Sequence, residues 1–277
     1  MISSSNRGIS TTAASTPAAD GGTRPNRLAE RLLDDRHSLP LSIMLHLVPG
    51  LLIVTAYLLI GGPFAAAIGY PTLLGWAIAL SLVLIPILSG LLLLGRKQNG
   101  RFTLHGVLRY TGTPVPRARL VAMVIALIVW QMVVGFALAP VNNFFKAFFT
   151  WLPYTDTGGG PAAYLQGYSH SVMLTAMVIC LPLTGISLPL IEELYFRGFL
   201  LPRLAHLGGW APVVNSILFA VYHFWSPWMI VSRTIFMFPG SWFTWRKQDI
   251  RLSIGMHAGG DLLLAATGTT ALALNLL

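Results

Sequence analysis

The run Ser171–Ile191 contains no charged side chain and, as a helix rising about 1.5 Å per residue, is long enough to cross roughly 30 Å of hydrocarbon. Comparable apolar runs occupy Leu39–Ile60, Thr72–Leu94 and Leu120–Val141. Backbone amides inside a bilayer find no water to bond, so stretches of this kind must close their hydrogen bonds internally as helices. Composition agrees: 55% of the residues are hydrophobic and 10% charged, where soluble domains carry about 25% charged residues. The expected fold is all-α, a polytopic transmembrane helical bundle. Three later apolar segments, near Ala211–Ser226, Trp228–Trp245 and Leu252–Leu274, are interrupted by His223, Arg233, His257 and Asp261. Helices that face a polar cavity rather than lipid show this pattern. Together the segments give about seven spans, with six to eight as the range.

Eighteen Lys and Arg against nine Asp and Glu give a net charge of +9. On a soluble chain that excess would suggest a nucleic-acid partner. Here the basic residues sit mostly in the amino-terminal tail and in loops, where they act as topology signals, so no nucleic acid is expected and the partner is the lipid bilayer. The loop Arg96–Arg119 holds Arg96, Lys97, Arg101, Arg109, Arg117 and Arg119 without an acid, whereas Gly61–Pro71 is uncharged and Asn142–His170 holds one Lys and one Asp. The positive-inside rule then puts the amino terminus and the basic loop in the cytoplasm, with the chain in the plasma membrane. Residues 1–38, rich in Ser, Thr, Ala and Gly, read as a disordered tail with a short juxtamembrane amphipathic segment at Leu28–Arg36, and do not resemble a cleaved signal peptide. Residues 39–277 form the transmembrane domain. Asn142–His170 is the long external connection and is expected to act as a partly ordered cap. Cys180 is the single cysteine, so no intrachain disulfide can form, and its place in an apolar run suits a small packing residue.

The costly feature is Ile191–Arg197, Ile-Glu-Glu-Leu-Tyr-Phe-Arg, at the end of the uncharged run. An ionised side chain near hydrocarbon costs roughly 2.5–3.5 kcal/mol on insertion scales, which makes such residues functional candidates with a nearby partner. On a helix Glu193 and Arg197 share a face, while Glu192 points about 100° away from Glu193. One carboxylate is thus neutralised while the other stays available. Two further pairs repeat the spacing of four: Phe219 with His223, and His257 with Asp261. His46 and His170, by contrast, read as structural histidines.

Glu192-Glu193-Leu-Tyr-Phe-Arg197, Phe219-Ala-Val-Tyr-His223 and His257-Ala-Gly-Gly-Asp261, in this order on late transmembrane helices, resemble the motifs of the CPBP family of intramembrane proteases. That family includes the type II CAAX prenyl endopeptidases and bacterial homologues linked to bacteriocin self-immunity. The resemblance covers roughly residues 171–274. It implies a peptidase whose site lies within the bundle near the cytoplasmic side and opens toward that side, acting on a peptide or lipidated protein. By the same resemblance Glu192 activates the attacking water, His223 positions that water or binds metal, and His257 with Asp261 faces the developing oxyanion. Glu193, Arg197 and Phe219 support the site, Arg197 as the ion-pair partner of Glu193.

Where the motif offers Asp or Asn, this chain has Asp261. An Asp donates only when protonated, and when ionised it suits a divalent metal such as zinc, with Glu192, His223 and His257 as the other ligands. A metalloendopeptidase and a metal-independent glutamate protease both stand at this stage, with no cofactor certain. The absence of a His-Glu-x-x-His helix leans toward the second. A non-enzymatic immunity-like membrane protein and a proton-coupled transporter are the competing classes. The fixed order of three motifs, and the presence of Arg197, argue against both. Pro182 and Pro189 are expected to bend the fourth span, and Gly259 and Gly260 to admit a substrate backbone or a neighbouring helix. The substrate and the oligomeric state are not encoded in any feature of the sequence.

Overall fold

A computed structural model describes residues 27–112, 115–154 and 167–276. The expected disorder over residues 1–24 and the Gly158–Pro161 stretch of the long connection lie outside these residues. Among the described residues the chain is helical, with no strand. The helices are α1 (Arg27–Leu33), α2 (Leu39–Ala67), α3 (Thr72–Asn99), α4 (Arg117–Ala137), α5 (Ala139–Lys146), α6 (His170–Arg203), α7 (Trp210–Tyr222), α8 (Ile230–Lys247) and α9 (Arg251–Ala273). Four of them, α2, α3, α4 and α6, are long and apolar enough to cross a membrane; α7 is apolar but shorter. The chain is a polytopic helical bundle, as the apolar runs predict.

The last three segments differ from simple spans. α7 stops at Tyr222, so the expected segment to Ser226 ends in a bend at His223 and a 3₁₀ turn at Pro227–Met229. Cores of α7, α8 and α9 pack on one another and on α2, α4 and α6. Phe196, Phe199, Phe219, Tyr222, Met237, Leu252 and Met256 fill the shared interior.

α6 extends well past Ile191, where the uncharged run ends, to Arg203. Two π-helical turns interrupt it, at Leu183–Ser187 and Leu194–Leu200. Pro182 and Pro189 flank the first; each lacks the N–H that a regular turn would use, and Ser187 Oγ donates to Pro182 O at 2.9 Å across it. The second begins directly after Glu193 and carries Arg197. Wide turns of this kind concentrate at functional sites.

The basic loop between α3 and α4 folds against the end of α6. Arg109 N donates to Gly198 O at 2.9 Å, and Val107 and Leu108 are buried. A Cβ on Gly198 would lie 2.7 Å from Ile250 Cδ1 and 3.3 Å from Leu108 Cδ2, so a larger residue there would have to displace these side chains of the loop and the α8–α9 turn. The fully buried Arg203 donates to Leu32 O, Val107 O and Phe199 O, joining α1, the loop and α6. Asp249, in the α8–α9 turn, accepts from Val115 N at 2.8 Å and from Arg251 Nη2 at 2.7 Å.

Burial pushes the Asp249 carboxyl up, but the bonds from Arg251 and Val115 outweigh it and hold the group below its ordinary value. A depressed folded pKa stabilises the fold above the unfolded value, near 3.9, and the benefit disappears as pH falls through the folded pKa. Asp249→Asn is therefore expected to lower stability by about 1–3 kcal/mol at neutral pH and to flatten the loss of stability below about pH 4. Thermal melts of both proteins in detergent across that range check it.

Candidate active site

The second π-helical turn, the end of α7 and the first half of α9 bring the three motifs together. Glu193 is fully buried. Its Oε1 accepts from Arg197 Nη1 at 2.9 Å and lies 2.8 Å from His257 Nδ1. Arg197, also fully buried, donates through Nε to Ser241 Oγ at 3.3 Å, and its guanidinium lies over the Phe219 ring, 3.9 Å from the centroid. An ion pair this deep is tolerable because the guanidinium is paired, hydrogen-bonded and stacked at once.

Glu193 also orients His257. A carboxylate accepts only, so the Nδ1 facing it carries the proton and Nε2 points the other way. There Nε2 lies 3.8 Å from Glu192 Oε2 and 3.5 Å from Asp261 Oδ2. These separations are too long for good direct hydrogen bonds.

Glu192 faces the other way from Glu193, as the helical geometry predicts. Its Oε1 accepts from Tyr222 Oη at 2.9 Å, and the side chain lines an internal cavity of about 740 Å³. His223, Phe219, His257 and Asp261 line the same cavity. His223 Nδ1 donates to Phe219 O at 2.8 Å, which turns Nε2 into the cavity. Phe219 is 1% exposed and touches both histidine rings edge-on, with centroids 4.7 Å from His223 and 5.6 Å from His257. Every residue picked from the motifs is thus gathered around one cavity or directly behind it.

Glu192 lies about 9 Å along α6 from Gly198, where the basic loop docks, so the site is in the half of the bundle near that loop. The remaining lining residues, among them Leu73, Phe136, Ala139, Met177 and Thr269, lie on the other halves of their helices.

Several participants were not legible in the sequence. Tyr222 holds Glu192 but sits between two motif residues, where it reads as packing. Ser226 lines the cavity and accepts at 3.0 Å from Nη2 of Arg233, which lines it too, as its place in a late apolar segment predicts. Gln131 of α4 also lines it; its signal was to be the one strongly polar uncharged side chain in an otherwise apolar run. Behind the site, His46 Nδ1 donates to Ser42 O at 2.7 Å and Nε2 accepts from Asn215 Nδ2 at 3.1 Å, the structural role expected of it. His170 Nε2 donates to Leu272 O at 2.8 Å.

The four side chains that the resemblance offers as metal ligands, Glu192, His223, His257 and Asp261, line this one cavity. Among the described residues no three His, Cys, Asp or Glu side chains form a group able to hold a metal ion. His257 is committed through Nδ1 to Glu193, and Glu192 to Tyr222.

The class that this fold and site define is a multi-pass helical membrane protein whose Glu192, His223, His257 and Asp261 line one cavity. Residues 173–263, which hold all three motifs, match the family model described as type II CAAX prenyl endopeptidase Rce1-like, and this supports a CPBP family intramembrane protease. The matched segment is less than half of the chain. At the family level the match supports a CAAX-type intramembrane endopeptidase, hence a protease. No curated protein and no solved structure matches the chain.

Proposed function

We propose that the protein hydrolyses a peptide bond in a membrane-anchored or apolar peptide, with Glu192 as the general base. The observation that carries this reading is the unequal treatment of two adjacent carboxylates. Glu193 is consumed by Arg197 and His257, whereas Glu192 keeps Oε2 on the cavity side, 3.8 Å from His257 Nε2. A water held on the cavity side of Glu192 Oε2 gives it a proton as the water oxygen attacks the scissile carbonyl carbon. The C–O bond forms, and the carbonyl oxygen becomes an oxyanion that accepts from Nε2–H of His257 as imidazolium, its Nδ1–H remaining on Glu193, and from Asp261 in its acid form. Glu192 then passes the proton to the amide nitrogen as the C–N bond breaks, releasing an amine and a carboxylic acid. His223 Nε2 helps to hold the water, and Tyr222 fixes the Glu192 rotamer.

The positive-inside rule supports a cytoplasmic amino terminus, and the apolar cavity walls support a hydrophobic substrate. The test is incubation of the purified protein in vesicles with a farnesylated CAAX-type peptide and with its unprenylated counterpart, followed by mass analysis of the products. A defined cut in either supports the protease reading. No cut in any apolar or prenylated peptide overturns it.

Asp261 decides between the two chemistries. Asp261→Asn is expected to keep at least about a tenth of wild-type activity and to extend it to higher pH, because an amide donates at every pH while a carboxylic acid must stay protonated. Activity lost to chelator and restored by a divalent ion, together with an inactive Asp261→Asn, would establish a metal ligand instead.

A further inference from the structure

Gln131 stands out because its burial has no structural return. It lies on the narrow buried stripe of α4, with Leu127 and Val134, in a helix otherwise turned outward. It is 7% exposed, and its Oε1 has no hydrogen-bond partner among the described residues. An apolar side chain of the same length would fill this place without leaving a desolvated carbonyl oxygen.

The contact with α9 is built to admit it. A Cβ on Gly260 would lie 2.8 Å from Gln131 Oε1 and 3.0 Å from both Cδ and Nε2. Gly255 and Gly259 make the same allowance for Val124 and Ile128 of α4, so the glycines in and before the His257–Asp261 motif serve the approach of a neighbouring helix. Gly260 is three residues after His257 and one before Asp261. The carboxamide therefore meets α9 one turn from His257, at a position three residues on that shares its face, and Gln131 lines the same cavity as Glu192.

A peptide entering an apolar cavity brings N–H and C=O groups that lose their water. A carboxamide is a neutral side chain offering a donor and an acceptor side by side, the complement of the N–H and C=O that one extended residue presents on the same side. We propose that Gln131 is a substrate-binding residue, its carboxamide pairing with the main-chain N–H and C=O of one substrate residue adjacent to the bond that is cleaved. The proposal rests on the protease reading but adds a residue outside the matched segment 173–263. It assigns the substrate an extended backbone at this point, since a helical peptide would have no free N–H or C=O to offer.

The experiment uses the full-length protein in vesicles and a farnesylated CAAX-type peptide, with analogues N-methylated or ester-linked at one backbone position at a time around the cut. Gln131→Met is expected to raise KM about tenfold with kcat little changed, the pattern of a lost binding contact. Its melting temperature should equal or exceed that of wild type. One backbone analogue should slow wild type about as much as the substitution does, and cause no further loss in Gln131→Met. Binding of the uncut peptide to Glu192→Gln, with and without Gln131→Met, gives the same comparison free of turnover. Gln131→Asn keeps the carboxamide one methylene shorter and serves if Met overpacks against Gly260.

The proposal is overturned if Gln131→Met and Gln131→Asn both melt lower or fail to fold. It is equally overturned if every backbone analogue acts additively with the substitution. Wild-type protein that cuts nothing, or a Glu192→Gln that cuts at the wild-type rate, would instead mark failure of the protease reading itself.

Discussion

Glu192→Gln is expected to reduce cleavage by about 10²–10⁴-fold, the contribution typical of a positioned general base, while the protein stays folded and inserted. The argument rests on which contacts survive. A glutamine can keep its amide oxygen on the Tyr222 hydroxyl, now 2.9 Å from Glu192 Oε1, so the rotamer and the local packing persist. The amide nitrogen then replaces Oε2 on the side facing His257 and cannot accept a proton. The same substitution at Glu193 should behave differently. Glu193→Gln weakens the contacts to both Arg197 and His257 and so loses folded protein along with activity. Measuring turnover and melting temperature for both variants separates the roles. A Glu192→Gln protein with wild-type turnover would refute the assignment.

Arg197→Ala is expected to cost about 3–5 kcal/mol of stability, because it leaves a fully buried carboxylate without its cation. The loss extends beyond one ion pair. The guanidinium also covers the Phe219 face and bonds Ser241 of α8, and Glu193 in turn orients His257. Activity should therefore fall even in the fraction that folds. Arg197→Lys tests geometry against charge: an ammonium can pair with Glu193 but cannot also stack flat on the ring and reach Ser241, so partial recovery is expected. Yield after detergent extraction and the melting temperature are the readouts, and an unchanged melt would show that the pair contributes no stability.

The directions of α6 and of its two carboxylates illustrate how far a linear pattern reaches. Spacing alone predicts that Glu193 meets Arg197 and that Glu192 diverges, since both follow from the pitch of one helix, and the π-helical turn that begins at Leu194 does not disturb the pair. The same pattern does not show how far the helix continues. The run of uncharged residues stops at Ile191, yet α6 continues to Arg203 because the loop, α1 and α8 supply buried partners for its later charges.

What the sequence by itself determined was everything governed by local periodicity and by the cost of charge in hydrocarbon: an all-helical bundle, the three motifs and the residues that carry them. What only the tertiary structure decided was which of those residues meet across helices. His257 takes its orientation from Glu193, Glu192 takes its from Tyr222, and Gln131 reaches the site only because Gly260 lets α4 come close. These contacts join residues far apart in the chain, and no local spacing specifies them. They follow from how the helices pack, which the shapes of many side chains set together.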